Sequence, residues 1–463
     1  MDVNVKLKAF KESVFKANDI RGLYPEELDH NTLELIAQGF SRLVKKWNQG
    51  KSLLIGRDVR WSSPEIKDIV KNKILGEGID VIDAGTVTTP LFIFALAESR
   101  AQAGIMITSS HNSIRYNGLK IYKGLEPIGE RNGLFEIKKI IQEELGIEVG
   151  AEGSGRGNYR EENFLNRYVD FLLKRVLIKK KIKAVFDTGG GAVGVVLPKI
   201  LNAINLIDAT TLFLEPDPSL SKREPNPMLP EAQVKIRERI IQNKADLGFL
   251  FDPDGDRVMI LDERGEIVRS DAILWLLANK FAHASEGIVY DLRASMSLTE
   301  DLAREGIGCH RSRVGYSFVS ELMRHEDAVV GGELSGHFYF RDFFYSNSAL
   351  FATLKILEII SSSSQKLSEI VKPYLRYFHS GEVNLIAKNK TEIISLLEKK
   401  YSDAERDYFD GATFRYPDWW FNIRPSNTED LLRLVLETKT KSLFDEKKDE
   451  ILSFILSRGA KLA

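Results

Sequence analysis

The densest chemistry in the sequence lies at residues 252–257, Asp252-Pro253-Asp254-Gly255-Asp256-Arg257. Three carboxylates in five residues repel one another at close range, and a hard, oxygen-preferring cation such as Mg²⁺ offsets that repulsion by coordinating them. A metal loop is a better reading than a solvated acidic turn. An EF-hand is the rival, since Glu263 falls at its twelfth position, but Arg257 stands where that loop needs glycine and the flanks read as strands.

Three further segments carry usable groups. Residues 108–112, Thr108-Ser109-Ser110-His111-Asn112, lie just ahead of Tyr116-Asn117-Gly118-Leu119-Lys120. A serine hydroxyl needs activation to act as nucleophile or phosphate carrier, and the neighbouring donors with Lys120 can supply it. The local sequence alone equally describes a turn whose hydroxyls bond their own backbone. At residues 331–337, Gly331-Gly332-Glu333-Leu334-Ser335-Gly336-His337, glycines would let a ligand approach the backbone, and Glu333 and Ser335 suit vicinal hydroxyls; a plain hairpin fits as well. Arg424-Pro425-Ser426-Asn427-Thr428 joins a guanidinium to hydroxyl and amide donors, the inventory for a phosphate dianion, with a capped turn as the alternative.

The elements expected around these loops are those of α/β layers. Strand-like runs at residues 52–55, 79–82 and 104–107 form a first series, those at 183–186 and 246–251 a second, and those at 287–290 and 328–330 a third. Leu134, Ile137 and Ile141, like Ala232, Ile236 and Ile240, repeat at helical spacing and predict helices that cover a sheet. Each of the first three loops follows the last strand of a unit, and in open α/β sheets ligands gather beyond the carboxyl ends of the strands. Gly150, Gly153, Gly155 and Gly157 mark a first boundary, the acidic loop a second and Pro373 a third, giving domains 1–155, 156–255, 256–372 and 373–463. The last reads as a smaller α+β unit ending in a helix near residues 443–457.

Asp187-Thr188-Gly189-Gly190-Gly191 lacks the frame of a nucleotide loop and reads as a tight strand-to-helix turn. Trp419, Trp420 and Phe421 read as core or as a flank of the last loop, and His30, His283, His310 and His325 show no metal-ligand spacing. Composition narrows the function classes. With 65 basic and 66 acidic residues the net charge is −1, which disfavours general nucleic-acid binding. A single cysteine, Cys309, permits no intrachain disulfide, and no apolar run approaches the ~18 residues of a membrane span, so a cytoplasmic protein without a membrane partner is expected.

Taken together, the four loops, in this order and spacing, resemble the α-D-phosphohexomutases, specifically the phosphomannomutase/phosphoglucomutase branch, from about Ala17 to Leu436. The resemblance implies three related α/β domains plus a smaller C-terminal α+β domain around a central cleft. It implies reversible transfer of a phosphoryl group between the 1- and 6-positions of a hexose phosphate, through a phosphoserine and a hexose 1,6-bisphosphate that also serves as activator. By that resemblance Ser110 is the phosphoserine, supported by His111 and Asn112, and Asp252, Asp254 and Asp256 bind Mg²⁺ with an oxygen on Ser110. Arg21, in Asn18-Asp19-Ile20-Arg21-Gly22, and Arg257 neighbour the phosphate; Lys120, with His337 nearby, is the acid/base candidate. Glu333 and Ser335 would hold sugar hydroxyls, Arg293 a further substrate contact, and Arg424, Ser426, Asn427 and Thr428 the distal phosphate.

Four positions depart from the family pattern: Ser113, Pro253, Gly190, and Tyr316, which stands in a substrate-binding loop where histidine is usual. An unperturbed phenol, with a pKa near ~10, is a poor proton acceptor at neutral pH, so Tyr316 is expected to bind rather than to shuttle protons. Two other readings compete: a phosphatase of the haloacid dehalogenase type with Asp252 as nucleophile, and a non-catalytic phosphosugar-binding paralogue.

Overall fold

The computed structural model describes residues 10–47, 52–143, 155–426 and 430–463. Asn427 and Thr428, and Gly150 and Gly153 of the expected first boundary, lie outside the described residues. The chain divides into two compact units, one of residues up to Val268 with Ser335–Leu367, the other of Arg269–Leu334 with Ser368–Ala463.

The first unit holds two sheets. In one, the spatial order is Ile20–Leu23, Tyr116–Lys123, Ala103–Ile107, Ser52–Arg57, Asp80–Thr86, Tyr159–Glu161. The last four strands are parallel. Tyr116–Lys123 returns antiparallel against Ala103–Ile107, and Ile20–Leu23 pairs antiparallel with it in turn. The expected strands are present and longer than their apolar runs, because polar residues such as Arg57 continue the hydrogen-bond ladder past the buried stretch. Helix Leu134–Glu143 buries Leu134, Ile137, Ile140 and Ile141 in the same core as Ile36 and Phe40 of helix His30–Lys46, as its periodicity requires.

The second sheet runs Ile267–Val268, Val258–Leu261, Leu247–Phe251, Ile182–Asp187, Ile207–Leu212. Helix Pro230–Asn243 covers it with Ala232, Ile236 and Ile240. Val258–Leu261 folds back antiparallel on Leu247–Phe251, so the acidic loop is the turn of a hairpin. The sequence boundary between residues 255 and 256 falls inside that hairpin: the missing linker there is a property of a tight turn within one sheet.

In the second unit, Gly287–Asp291 is flanked by parallel strands Gly308–Ser312 and Val330–Gly332, with helices Ser270–Phe281, Met296–Arg304 and Tyr316–His325. Its other sheet is antiparallel through Glu405–Asp407, Ala412–Arg415, Trp419–Pro425, Leu432–Thr438, Val383–Ile386 and Lys461–Leu462. Trp419 and Phe421 belong to that sheet's core, and Trp420 is buried with its indole N–H donated to Glu437. No described helix is long and apolar enough to cross a membrane.

Two glycines have a different purpose from the one their sequence suggests. Gly331 and Gly332 lie within the strand Val330–Gly332, and a Cβ on them would meet Met323 Sδ at 2.7 Å and Leu274 Cβ at 3.1 Å. They let helices pack closely on the sheet and do not expose backbone for a ligand.

Candidate functional site

Ser110 sits in the loop between Ala103–Ile107 and Tyr116–Lys123, with φ at +50°. A serine takes that left-handed conformation only when its surroundings impose it. Thr108 Oγ1 accepts the Ser110 N–H at 2.9 Å. The Ser110 hydroxyl donates to Asp252 Oδ2 at 3.0 Å and lies 3.1 Å from His111 Nδ1. Burial, with the positive charges of Arg257 and Arg21, holds the His111 pKa well below its ordinary value, so the ring is neutral. Arg21 donates to Asn112 Oδ1 at 2.7 Å and to Asp19 at 2.6 Å, which ties strand Ile20–Leu23 to the serine loop.

The three aspartates are buried and present one oxygen each within 4.8 Å of the others, as a metal site requires. Gly255, at φ +71°, makes the tight turn, and the N–H groups of Asp256 and Arg257 both donate to Asp252 Oδ1 at 3.1 Å. Burial and the charges of Asp256 and Asp254 push the Asp252 pKa well above the usual carboxylate range. For Asp256 burial, the largest single influence, acts the same way, but Lys120, His337 and Arg257 together more than offset it and its pKa falls well below that range.

Lys120 projects from the interior of Tyr116–Lys123 and donates to Asp254 Oδ2 at 2.7 Å and to Asp256 Oδ2 at 2.6 Å. Thr89 Oγ1 donates to Asp254 Oδ2 at 2.6 Å. Asp254 Oδ1, buried, has no hydrogen-bond partner among the described residues. A buried carboxylate oxygen without a donor, inside a cluster of three carboxylates, fits a divalent cation as its missing partner. Arg257 Nε lies 3.2 Å from His337 Nε2, and His337 Nδ1 lies 3.1 Å from Ser335 Oγ. His337 Nε2 also lies 3.4 Å from Asp256 Oδ1.

A second cluster of expected residues lies in the second unit. Asp291 Oδ1 accepts from Arg293 Nε at 3.0 Å and Asp291 Oδ2 from Nη2 at 2.7 Å, while Asp291 also takes the Leu334 N–H. Arg293 Nη1 and Arg424 Nη2 both donate to Glu382 Oε2, at 2.9 and 2.8 Å, and Arg433 Nη1 donates to Glu382 Oε1 at 2.9 Å. Arg424 and Arg433 are direct cross-strand partners. Ser426 lies beyond the end of the same strand and donates its N–H to Leu431 O. Glu333 is buried and accepts the Gly315 N–H at 3.0 Å, next to Tyr316, which opens helix Tyr316–His325 and is half-buried.

Sequence reasoning missed several members. Thr89 is placed by helix Thr89–Ser99, capped by Thr88 Oγ1 on the Leu91 N–H. Gly191 supports the acidic loop: a Cβ there would lie 2.6 Å from Pro253 O, which accepts the Ala192 N–H at 2.7 Å. Glu382, Arg433 and Asp291 were likewise unmarked. Only their charge could have drawn attention, and charge alone is common on surfaces.

Four family descriptions match in sequence along the chain: phosphoglucomutase/phosphomannomutase alpha/beta/alpha domain I at residues 12–145, domain II at 166–265, domain III at 269–377 and the C-terminal domain at 382–453. A phosphomannomutase of Methanocaldococcus jannaschii is 34% identical over 461 residues, covering 97% of this chain and 99% of its own. One from Salmonella typhimurium is 32% identical over 460 residues, covering 97% and 100%. A crystal structure of a phosphoglucomutase/phosphomannomutase family protein from Burkholderia thailandensis superposes with a TM-score of 0.86 at 26% identity, covering 98% of this chain and 99% of that one. The chain belongs to the phosphoglucomutase/phosphomannomutase family, within the α-D-phosphohexomutases, and is a phosphohexomutase enzyme. No finding favours the phosphatase or the non-catalytic reading.

Proposed function

We propose that this enzyme moves a phosphoryl group reversibly between the 1- and 6-positions of mannose or glucose phosphate, through phosphorylated Ser110 and a hexose 1,6-bisphosphate. The observation that carries the reading is the Ser110 hydroxyl at 3.0 Å from a buried three-aspartate cluster, on a loop held at φ +50°. The sugar class comes from the phosphomannomutase relatives.

Asp252, Asp254 and Asp256, with an oxygen on Ser110, would hold Mg²⁺, which when bound stabilises negative charge on a transferring phosphoryl group. The chain's own groups do the rest. Arg21 and Arg257 place guanidiniums beside the serine loop to balance charge spread over the equatorial oxygens. A sugar hydroxyl attacks phosphorus, the P–Oγ bond of Ser110 breaks, and the hydroxyl's proton leaves to a base. The result is a bisphosphate, whose other phosphoryl group returns to Ser110 Oγ after the sugar turns round. Lys120, whose Nζ reaches Asp254 and Asp256, would serve as the acid–base group: as the neutral amine it takes the hydroxyl's proton, and as the ammonium it gives that proton back in the reverse half-reaction. Arg424 and Ser426, with Asn427 and Thr428, take the distal phosphate; Arg293, Glu333, Ser335 and Tyr316 take the rest of the sugar phosphate.

Incubation with mannose 1-phosphate or glucose 1-phosphate, Mg²⁺ and a trace of hexose 1,6-bisphosphate should yield the 6-phosphate. Intact-protein mass spectrometry should find one phosphoryl group on the wild type and none on Ser110→Ala. Release of inorganic phosphate alone, or equal labelling of both proteins, overturns the reading.

A further inference from the structure

We propose that Arg60 is a positioning residue for Ser110, acting through the backbone of the serine loop; this rests on the reading of Ser110 as the phosphoryl carrier. Arg60 is fully buried and follows strand Ser52–Arg57. Its Nη2 donates to the carbonyls of Ser110 at 2.7 Å and Asn112 at 2.6 Å. Its Nη1 donates to those of Ser113 at 2.8 Å and Tyr116 at 3.1 Å. Nε donates to Asp58 Oδ2 at 3.2 Å, so all five guanidinium N–H groups are used. Asp58 is fixed in turn: its Oδ1 accepts the Arg60 N–H at 3.0 Å and the Ser63 hydroxyl at 2.6 Å, and its own N–H donates to Ile107 O.

One planar cation thus grips four carbonyls of the segment that carries the nucleophile, and the grip begins at the residue whose backbone is in the disfavoured left-handed region. Four loop carbonyls converging on one nitrogen fork leave the loop little freedom to relax to an ordinary φ, which would turn the Ser110 hydroxyl away from Asp252. Among the described residues Arg60 donates no hydrogen bond to Asp252, Asp254, Asp256 or the Ser110 hydroxyl; beyond a through-space charge interaction with Asp254, its influence runs through loop geometry. Misplacing a reacting atom by an ångström costs about 10²-fold in rate.

The test compares wild type with Arg60→Lys and Arg60→Met. Lysine keeps the charge but offers one nitrogen, which cannot span four carbonyls. Rapid-quench mass spectrometry follows phosphoryl uptake on Ser110 from a hexose 1,6-bisphosphate, alongside kcat and KM. In Arg60→Lys, uptake and kcat should fall together by about 10- to 100-fold with KM within about twofold, and Arg60→Met should fall further. A lowered thermal midpoint with wild-type uptake and kcat per folded molecule would make Arg60 merely structural, and a raised KM at unchanged kcat would place its effect on substrate binding; either overturns the proposal. If Arg60→Met does not fold, Arg60→Lys decides alone. Should the wild type take up no phosphoryl group on Ser110, the functional reading fails instead. Hydrogen exchange over residues 108–116 then still reads the grip: faster exchange in Arg60→Lys confined to that segment supports it, and unchanged exchange refutes it.

Discussion

Glu382→Gln keeps the size of a side chain that three guanidiniums share and removes only its charge. Burial by itself would push the Glu382 pKa up, but Arg293, Arg424 and Arg433 pull it from 4.5 down to about 2. At 1.36 kcal/mol per pH unit, that drop makes the carboxylate's charge worth about 3 kcal/mol to the folded state at neutral pH. The folded pKa lies below the unfolded one, so the contribution is complete above pH 4.5 and is lost as the pH falls toward 2. In a unit of roughly 160 residues, the variant should unfold about 6–12 °C below the wild type at pH 7. The gap should narrow by about 1.4 kcal/mol at pH 3.5, because the unfolded wild-type chain then takes a proton at Glu382 that the folded protein does not, while the other carboxylates titrate in both proteins and cancel. Calorimetry at the two pH values measures both quantities. A gap of equal size at pH 7 and pH 3.5 would refute the argument that charge is what Glu382 contributes.

His379 donates its Nε2–H to Arg293 O and accepts the Gly381 N–H at Nδ1, each at 2.9 Å; burial and the Arg269 charge hold its pKa at about 3. Its contribution is complete above pH 6.5 and lost as the pH falls, so wild type should lose about 2 kcal/mol more than His379→Gln between pH 7 and pH 5; parallel thermal profiles would contradict this. Asp254→Asn should raise the Mg²⁺ concentration needed for half-maximal turnover more than about tenfold, and direct Mn²⁺ titration should weaken in step. Lys120→Met should lower kcat by ~10²–10⁴, whereas Tyr316→Phe should cost the ~0.5–1.5 kcal/mol of a neutral hydrogen bond, seen in KM. Steady-state kinetics at saturating Mg²⁺ distinguish them, and a collapse of kcat in Tyr316→Phe at unchanged KM would move the proton-transfer role to the phenol.

What could be read from sequence was local. Asp252, Asp254 and Asp256 share one turn, Ser110 to Lys120 share one hairpin, and apolar runs marked the central strands around both. What escaped was set by pairings across long stretches of chain. Arg60 reaches Ser110 across 50 residues, Thr89 reaches Asp254 across 165, and Glu382 meets Arg293 and Arg424 at 89 and 42. No spacing rule connects such positions, because the sheet order that joins them depends on which strands pair. Gly331 and Gly332 failed for a related reason: absence of a side chain looks the same in a sequence whether the space goes to a ligand or to Met323 and Leu274.

Arg424 and Arg433 stand opposite one another on neighbouring antiparallel strands. Their separation is therefore a property of the backbone ladder, with opposed Cβ atoms ~4.5–5.5 Å apart, before any side chain adjusts. Such a sheet works as a ruler graduated in strand spacings. If Arg424 takes the distal phosphate as proposed, altering the anion it accepts would accordingly take a shift of register more than an exchange of arginine for lysine, and a slip of one residue would turn Arg424 to the opposite face altogether.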